Sequence, residues 1–292
     1  MSEREPIDHS SQHHILPELA PRREREFSGK IIAITGVSKP NGLGRFIANA
    51  FAREGAAGII INSTEGSKDL AMDRIDELKA LGTDATWVGG DIGDEETTKN
   101  MYSVSKERFG KIDVVVCNAG VTFNKPVNGV SLEEWDKVID TNLRGDFLVV
   151  RDLMRLFPKN GESAVVMIGS SAGSYGNSGQ EAYTAAKEGV KGLVRSLTKS
   201  LGVRGIRFNG VIPGYVATDM TESMPPEILE MMKISSPLKK FATAEDVANG
   251  VLFFAGPRSA AITGQFIEID AGLDGGITAI LPLYQAGYRK QT

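Results

Sequence analysis

Seven short apolar, β-branched runs, nearly all separated by helix-compatible stretches, constrain this chain more than any other feature. They read KIIAITG, GIIINST, ATWVGGD, KIDVVVCNAG, SAVVMIGS, IRFNGVIPG and GQFIEID. After the first comes LGRFIANAFAREG, whose Phe46, Ile47, Ala50 and Phe51 recur at helical spacing, and a second helix is expected around residues 67–81. Near-continuous apolar strands alternating with helices call for a parallel sheet covered on both faces. The expected fold is α/β, a single-domain, doubly wound, seven-stranded parallel sheet. Residues 1–26 read as a polar extension, 27–276 as the domain and 277–292 as a C-terminal tail.

Absences narrow the chemistry. The three histidines are His9, His13 and His14, so the main domain has neither a Ser-His-Asp triad nor a His-ligated zinc. The head could bind a metal ion or be a plain polar extension; no metal site is expected in the domain. Cys117 is the only cysteine, which excludes an intrachain disulfide and a thiolate cluster. A net charge of −4 gives no electrostatic reason for nucleic acid or an anionic membrane as partner. No run approaches the roughly 18 apolar residues of a membrane span, and MSEREPIDHSSQHH lacks the apolar core of a secretory signal. A cytoplasmic protein is expected. Its chemistry must come from Ser, Tyr, Lys, Asn or carboxylates.

Two stretches suggest where ligands bind. In a doubly wound sheet they sit beyond the carboxyl ends of the strands, where strand order reverses. TGVSKPNGLG (35–44) follows the first strand and opens a helix, and such a glycine loop lets the helix amides approach a pyrophosphate. Asp91, closing the third strand, could accept from an adenine amino group or cap the next helix. The second stretch is GQEAYTAAKEG, where Tyr183 and Lys187 lie four apart and face the same way on a helix. An adjacent ammonium favours a phenolate, which makes a tyrosine a usable general acid or base. Ser170, thirteen residues earlier at a strand's carboxyl end, could hold the same substrate oxygen.

These residues, with CNAG at 117–120, Asn142 in DTNLRG and PGYVATDM at 213–220, resemble the short-chain dehydrogenase/reductase family over roughly residues 28–276. The resemblance implies a Rossmann-type fold and NAD(P)-dependent oxidoreduction. It implies Tyr183 as acid/base, Ser170 as orienter of the carbonyl or hydroxyl, and Lys187 as holder of the nicotinamide ribose. Asn142 would hold a water of the proton relay. The cofactor would lie along Gly36, Ser38, Lys39, Gly42, Leu43 and Gly44, then Ser63, Asp91 and Ile92. It would continue over Asn118, Ala119 and Gly120, with Tyr183 and Lys187, to Pro213, Gly214, Val216 and Thr218. Within the family the chain is most similar to 3-oxoacyl-[acyl-carrier-protein] reductases, on the stretches SPLKKFATAEDVANGVLFFAG and ITGQFIEIDAG. That similarity implies a homotetramer, an acyl-thioester or other small ketone/alcohol substrate, and acyl carrier protein as a partner, with Arg204 where basic docking residues are found. There are departures: a glycine loop two residues longer than usual, and Cys117 where asparagine is common. PKNGES also lacks an expected arginine. A ketoreductase of a specialised pathway and a non-catalytic dinucleotide sensor or scaffold remain alternatives.

Cofactor preference rests on the second strand's end. NAD-specific folds place a carboxylate there, which would repel a 2′-phosphate. Here Asn62, Ser63 and Thr64 stand in its place, with Glu65 beyond. Lys39, and Arg45 at the helix start, could supply positive charge or could face solvent. NADP(H) is the expected cofactor, with NAD(H) the alternative. Residues between Thr218 and Pro237 should form a lid, and Met220, Met224, Met231 and Met232 there either suit an apolar substrate or pack the lid's own helix. The tail carries Ile280, Leu281, Leu283 and Tyr284 and should pack at an interface or over a neighbouring site. The head should be removable through about Arg25.

Overall fold

The computed structural model describes residues 25–159, 161–216 and 226–273. The seven runs become β1 (Ile31–Ile34), β2 (Gly58–Ser63), β3 (Asp84–Gly89), β4 (Val114–Cys117), β5 (Ala164–Ile168), β6 (Arg207–Pro213) and β7 (Phe266–Ile269). They form one parallel sheet in the order β3-β2-β1-β4-β5-β6-β7. The fold is the expected Rossmann-like one. Strand order reverses between β1 and β4, so a crevice opens above their carboxyl ends.

Alternate residues of each strand serve opposite faces, and both faces are covered. On one side Ile32, Ile34, Ile59, Ile61, Val114 and Val116 pack under α1 (Leu43–Arg53), α2 (Lys68–Ala80) and α9 (Ala244–Ala255). On the other, Ile31, Ala33, Ile60, Val115, Cys117, Val165 and Met167 pack under α3 (Glu95–Phe109), α5 (Gly145–Leu153) and α7 (Glu181–Leu201). This double burial is why the strands read as unbroken apolar runs rather than alternating ones. Phe27 is also fully buried, its ring edge-on to Phe51 at 4.7 Å, and Glu26 pairs with Arg258 at 3.1 Å.

Three shorter helices shape the crevice. α4 (Leu132–Ile139) opens on a capping box, in which Ser131 accepts from the Glu134 amide and Glu134 accepts from the Ser131 amide. It runs into α5 through a π-helical turn, Asp140–Arg144. α6 (Ser171–Tyr175) follows β5, and α8 (Pro226–Ser235) precedes the last two elements. Met232 of α8 is fully buried with Tyr215 and Leu273, so it packs the helix, whereas Met231 is exposed. Met220, Met224, Thr218, the head through residue 24 and the tail from 274 lie outside the described residues. Among the described residues no helix is long and apolar enough to cross a membrane.

Candidate active site

The glycine loop is locked to the β4 turn by backbone contact. Gly36 has φ 73°, and a Cβ there would sit 2.7 Å from the Ala119 Cα, so only glycine fits. Thr35, buried at the end of β1, accepts from the amides of both Asn118 and Ala119 at 3.0 Å. Asn118 returns its side-chain amide to the Thr35 and Gly36 carbonyls at 2.9 and 3.1 Å. Thr35 was not assigned a role from sequence; its partners are more than eighty residues away.

Beyond this anchor Ser38 is buried, Lys39 is exposed, and the Gly42 amide closes a turn on the Lys39 carbonyl at 3.1 Å. Gly42 caps α1, and no side chain does so. The first turn of α1, with Leu43 and Gly44, therefore presents its amides to the crevice without a competing carboxylate or hydroxyl. Arg45 faces away. Its guanidinium bonds Glu77 of α2 at 2.8–3.1 Å and the Pro40 carbonyl at 2.9 Å, which holds the Glu77 carboxyl below its usual range. Of the two basic residues considered for the loop, Lys39 alone remains exposed.

At the end of β2, Asn62 is buried and donates to the Val88 and Gly90 carbonyls, and the Ser63 hydroxyl accepts from the Trp87 indole at 3.0 Å. Thr64 is exposed, and the Glu65 carboxylate lies against Gly89. Asp91 accepts from the Gly93 amide at 3.0 Å and pairs with Lys137. The cap of α3 is Asp94, so the capping alternative for Asp91 is set aside. Ile92 is buried against Gly145.

The proposed catalytic residues gather at the carboxyl ends of β4 and β5. Ser170 caps α6, its hydroxyl accepting from the Ala172 amide at 3.2 Å. Tyr183 and Lys187 lie one turn apart near the start of α7, with the ammonium 5.8 Å from the tyrosine ring centroid. Lys187 is buried and donates to the Ile168 carbonyl at 2.9 Å. Asn142 sits in the π-helical turn, a device often found at functional sites. Its amide donates to the Val121 and Val138 carbonyls, both at 2.8 Å, while its buried Oδ1 has no partner. A Cβ on Gly120 would lie 2.7 Å from that Oδ1 and 3.7 Å from the Lys187 Nζ, so this glycine keeps the space between them open. A buried acceptor with room beside it is where proteins bind an ordered water. Pro213 and Gly214 end β6, and Val216 bridges to Ala242.

A cavity of about 130 Å³ adjoins Tyr183, with Phe123, Val127, Val130, Leu132, Trp135 and Val138 supplying its apolar wall. Glu134 and Glu181 also line it, and Glu134 is paired with Lys125 at 2.5 Å. Arg204 lies at the far end of α7, roughly 30 Å from Tyr183 along the helix axis, and donates to the Met154 carbonyl at 3.3 Å. Among the described residues no group of His, Cys, Asp and Glu could hold a metal ion.

A family model described as Enoyl-(Acyl carrier protein) reductase matches residues 36–274. The 3-oxoacyl-[acyl-carrier-protein] reductase of Staphylococcus aureus is 36% identical over 244 residues, which cover 84% of this chain and 98% of that one. The chain belongs to the short-chain dehydrogenase/reductase family. As a member it is an NAD(P)-dependent oxidoreductase acting between C=O and CH–OH. The 3-oxoacyl-[acyl-carrier-protein] reductase of Thermotoga maritima is similar at 35% identity, with 84% and 98% of the two chains covered. Among solved short-chain dehydrogenase structures, a putative gluconate dehydrogenase from Agrobacterium tumefaciens matches with TM-score 0.80 at 30% identity, covering 86% of this chain and 98% of that one. A gluconate 5-dehydrogenase from Burkholderia cenocepacia, in complex with NADP and tartrate, shares the fold with TM-score 0.79 at 23% identity, covering 88% and 98%.

Proposed function

We propose that this protein reduces an apolar ketone of the 3-oxoacyl type to an alcohol with NADPH, Tyr183 giving the proton. The observation that carries the reading is the grouping of the Lys187 ammonium and the unpartnered Asn142 Oδ1 around Gly120, with the Tyr183 ring 5.8 Å from that ammonium and the carboxyl end of β5 bonded to it through the Ile168 carbonyl. The residues present fit a dinucleotide: an uncapped α1 terminus, and a glycine at 36 where any side chain would strike the β4 turn. When bound, NADPH supplies the hydride. Asn118, Ala119 and Gly120 line its path by their backbone, with Asp91 and Ile92 at the adenine end and Pro213, Gly214 and Val216 at the nicotinamide end. Ser170 holds the substrate oxygen and Tyr183 protonates it. Lys187 holds the nicotinamide ribose, and Asn142 holds the relay water.

The cavity beside Tyr183 supports an apolar substituent on the carbonyl carbon. An acyl carrier as the substrate's bearer is supported by the names of the sequence relatives. Exposed Leu132, Trp135 and Phe147 on the α4–α5 rod support self-association, and a homotetramer is our reading, to be checked by solution mass. We take residues 27–276 as the working unit, in the cytoplasm.

NADPH over NADH is supported by the neutral end of β2 and by exposed Lys39, whose charge-assisted contact to a 2′-phosphate is worth roughly 1.5–3 kcal/mol, or about ten- to a hundredfold. The test follows NADPH absorbance with acetoacetyl thioesters, diketones and gluconate-type substrates, then repeats the best with NADH. Turnover is expected on the apolar ketones, with kcat/KM for NADPH above NADH and the ratio falling toward one in Lys39→Ala. A wild-type ratio below one overturns the cofactor, and an unchanged ratio in the variant removes Lys39 from that role. Tight NADPH binding with no turnover on any member favours the sensor alternative.

A further inference from the structure

The side chain of Arg45 spends its donors in two directions. Nε and Nη2 form a planar fork on the Glu77 carboxylate, at 2.9 Å to Oε2 and 2.8 Å to Oε1, while Nη1 donates to the Pro40 carbonyl at 2.9 Å. Glu77 is the hub of the group. Its Oε1 also accepts from the Asn49 amide of α1 at 2.7 Å, and Arg74, one turn back on α2, lies 3.4 Å from its Oε2. Both oxygens are engaged by protein donors, and the tie from Glu77 to the glycine loop runs through Arg45. Five residues separate Gly36 from Gly42 in that loop. Its near end is held by the Val37 amide on the Asn62 carbonyl at 2.8 Å, its far end by the Gly42 amide on the Lys39 carbonyl at 3.1 Å. Pro40, in the middle, has no amide to donate, so its carbonyl is the one backbone group by which a neighbour can hold it.

We propose that Arg45 and Glu77 form a brace that fixes the middle of the glycine loop against α2, and that Glu77 is thereby a positioning residue for the dinucleotide, acting on its affinity and not on the chemical step. The positioning role rests on the reading that this loop receives the dinucleotide; the brace itself does not. A loop that must first find its receiving shape binds more weakly by the fraction of time it holds that shape. A partly exposed ion pair that only joined two helices would act on stability alone. The arrangement also demands an arginine. The single ammonium of a lysine lacks the planar fork that grips a carboxylate with two nitrogens while a third reaches Pro40.

The test compares wild type, Arg45→Met, Glu77→Met, the double variant and Arg45→Lys. In the cofactor-free protein, hydrogen exchange of the peptide over residues 37–43 should run about fivefold faster or more in both single Met variants, with the α1 interior over 47–52 unchanged. The Kd of NADPH, from fluorescence titration, should rise about tenfold in each, by no more in the double variant, and in Arg45→Lys as well. At saturating NADPH, kcat should fall by no more than about twofold. A weaker Kd in Arg45→Met without one in Glu77→Met would make Arg45 a direct ligand and overturn the brace. Additive rises in the double variant overturn it too, as does unchanged loop exchange. A lower urea midpoint in Glu77→Met with Kd unchanged means that the pair only joins helices. If Glu77→Met does not fold, Glu77→Gln, which keeps the shape and one acceptor oxygen, should raise Kd about threefold, and no rise there overturns the positioning role. A wild type that binds no NADPH would sink the reading of function and the positioning role with it, while the exchange rates still decide whether the pair holds the loop.

Discussion

Tyr183→Phe is expected to lower kcat by about 10² to 10⁴ while leaving NADPH affinity within about twofold. The substitution removes one oxygen and keeps the ring that lies against the Lys187 ammonium. The fold should therefore be unaffected, since Tyr183 sits in the first turn of a 21-residue helix whose buried stripe, Ala182, Ala186, Val190 and Val194, is untouched. What is lost is the proton donor to the developing alkoxide, a contribution made in the transition state and not in cofactor binding. The measurement is steady-state kinetics alongside a fluorescence titration with NADPH. A variant with near-normal kcat would remove Tyr183 from its role.

Asp146→Asn is expected to stabilise the protein at pH 8 and to do little at pH 4. The carboxyl ionises near 3.8 when exposed in the unfolded chain and near 7 in the native state, because burial disfavours its charge. The pKa is raised on folding, so the sign is fixed by which state binds more protons. Below about pH 4 both states hold the proton and the group is neutral in its effect. Between about 4 and 7 the unfolded chain releases it and the native state does not, so stability falls with rising pH. Above 7 the penalty is constant, on the order of 4 kcal/mol at 1.36 kcal/mol per unit. Asparagine removes the charge and nearly keeps the shape. Thermal unfolding should show Tm higher by roughly 5–10 °C at pH 8, converging with wild type near pH 4. A variant less stable than wild type at pH 8 would mean that the native carboxylate is well compensated, contrary to its burial and unpartnered Oδ2.

The architecture was open to sequence reading because it depends on local periodicity. All seven strands appear where apolar, β-branched runs place them, since a sheet covered on both faces favours apolar residues along its central strands. The tyrosine and lysine were readable for the same reason: their spacing on one helix is a local fact. What was not readable depends on contacts between distant segments. Arg45 could not be told from a phosphate ligand until Glu77, thirty-two residues on, was seen to bind it. Asp91 and Asp94 both precede α3, and only the turn at Gly93 decides that the later one caps it. Asp146 reads as an ordinary polar helix residue, and its burial appears only once α5 is packed against the sheet. The Thr35 bridge to Asn118 and Ala119 likewise exists only once β1 and β4 are neighbours.

The central claim is that a hydride from NADPH reaches a carbonyl carbon in the site of Tyr183. It is tested most directly with NADPH deuterated on the transferring face of the nicotinamide and an apolar 3-oxoacyl thioester, the product being read by mass spectrometry and NMR. Wild type should place one deuterium on the carbinol carbon of a 3-hydroxyacyl product, and Tyr183→Phe should form that product only at a rate reduced by two orders of magnitude or more. Deuterium on a saturated carbon of an acyl chain, as an enoyl reduction would give, or a product free of deuterium, would contradict the account.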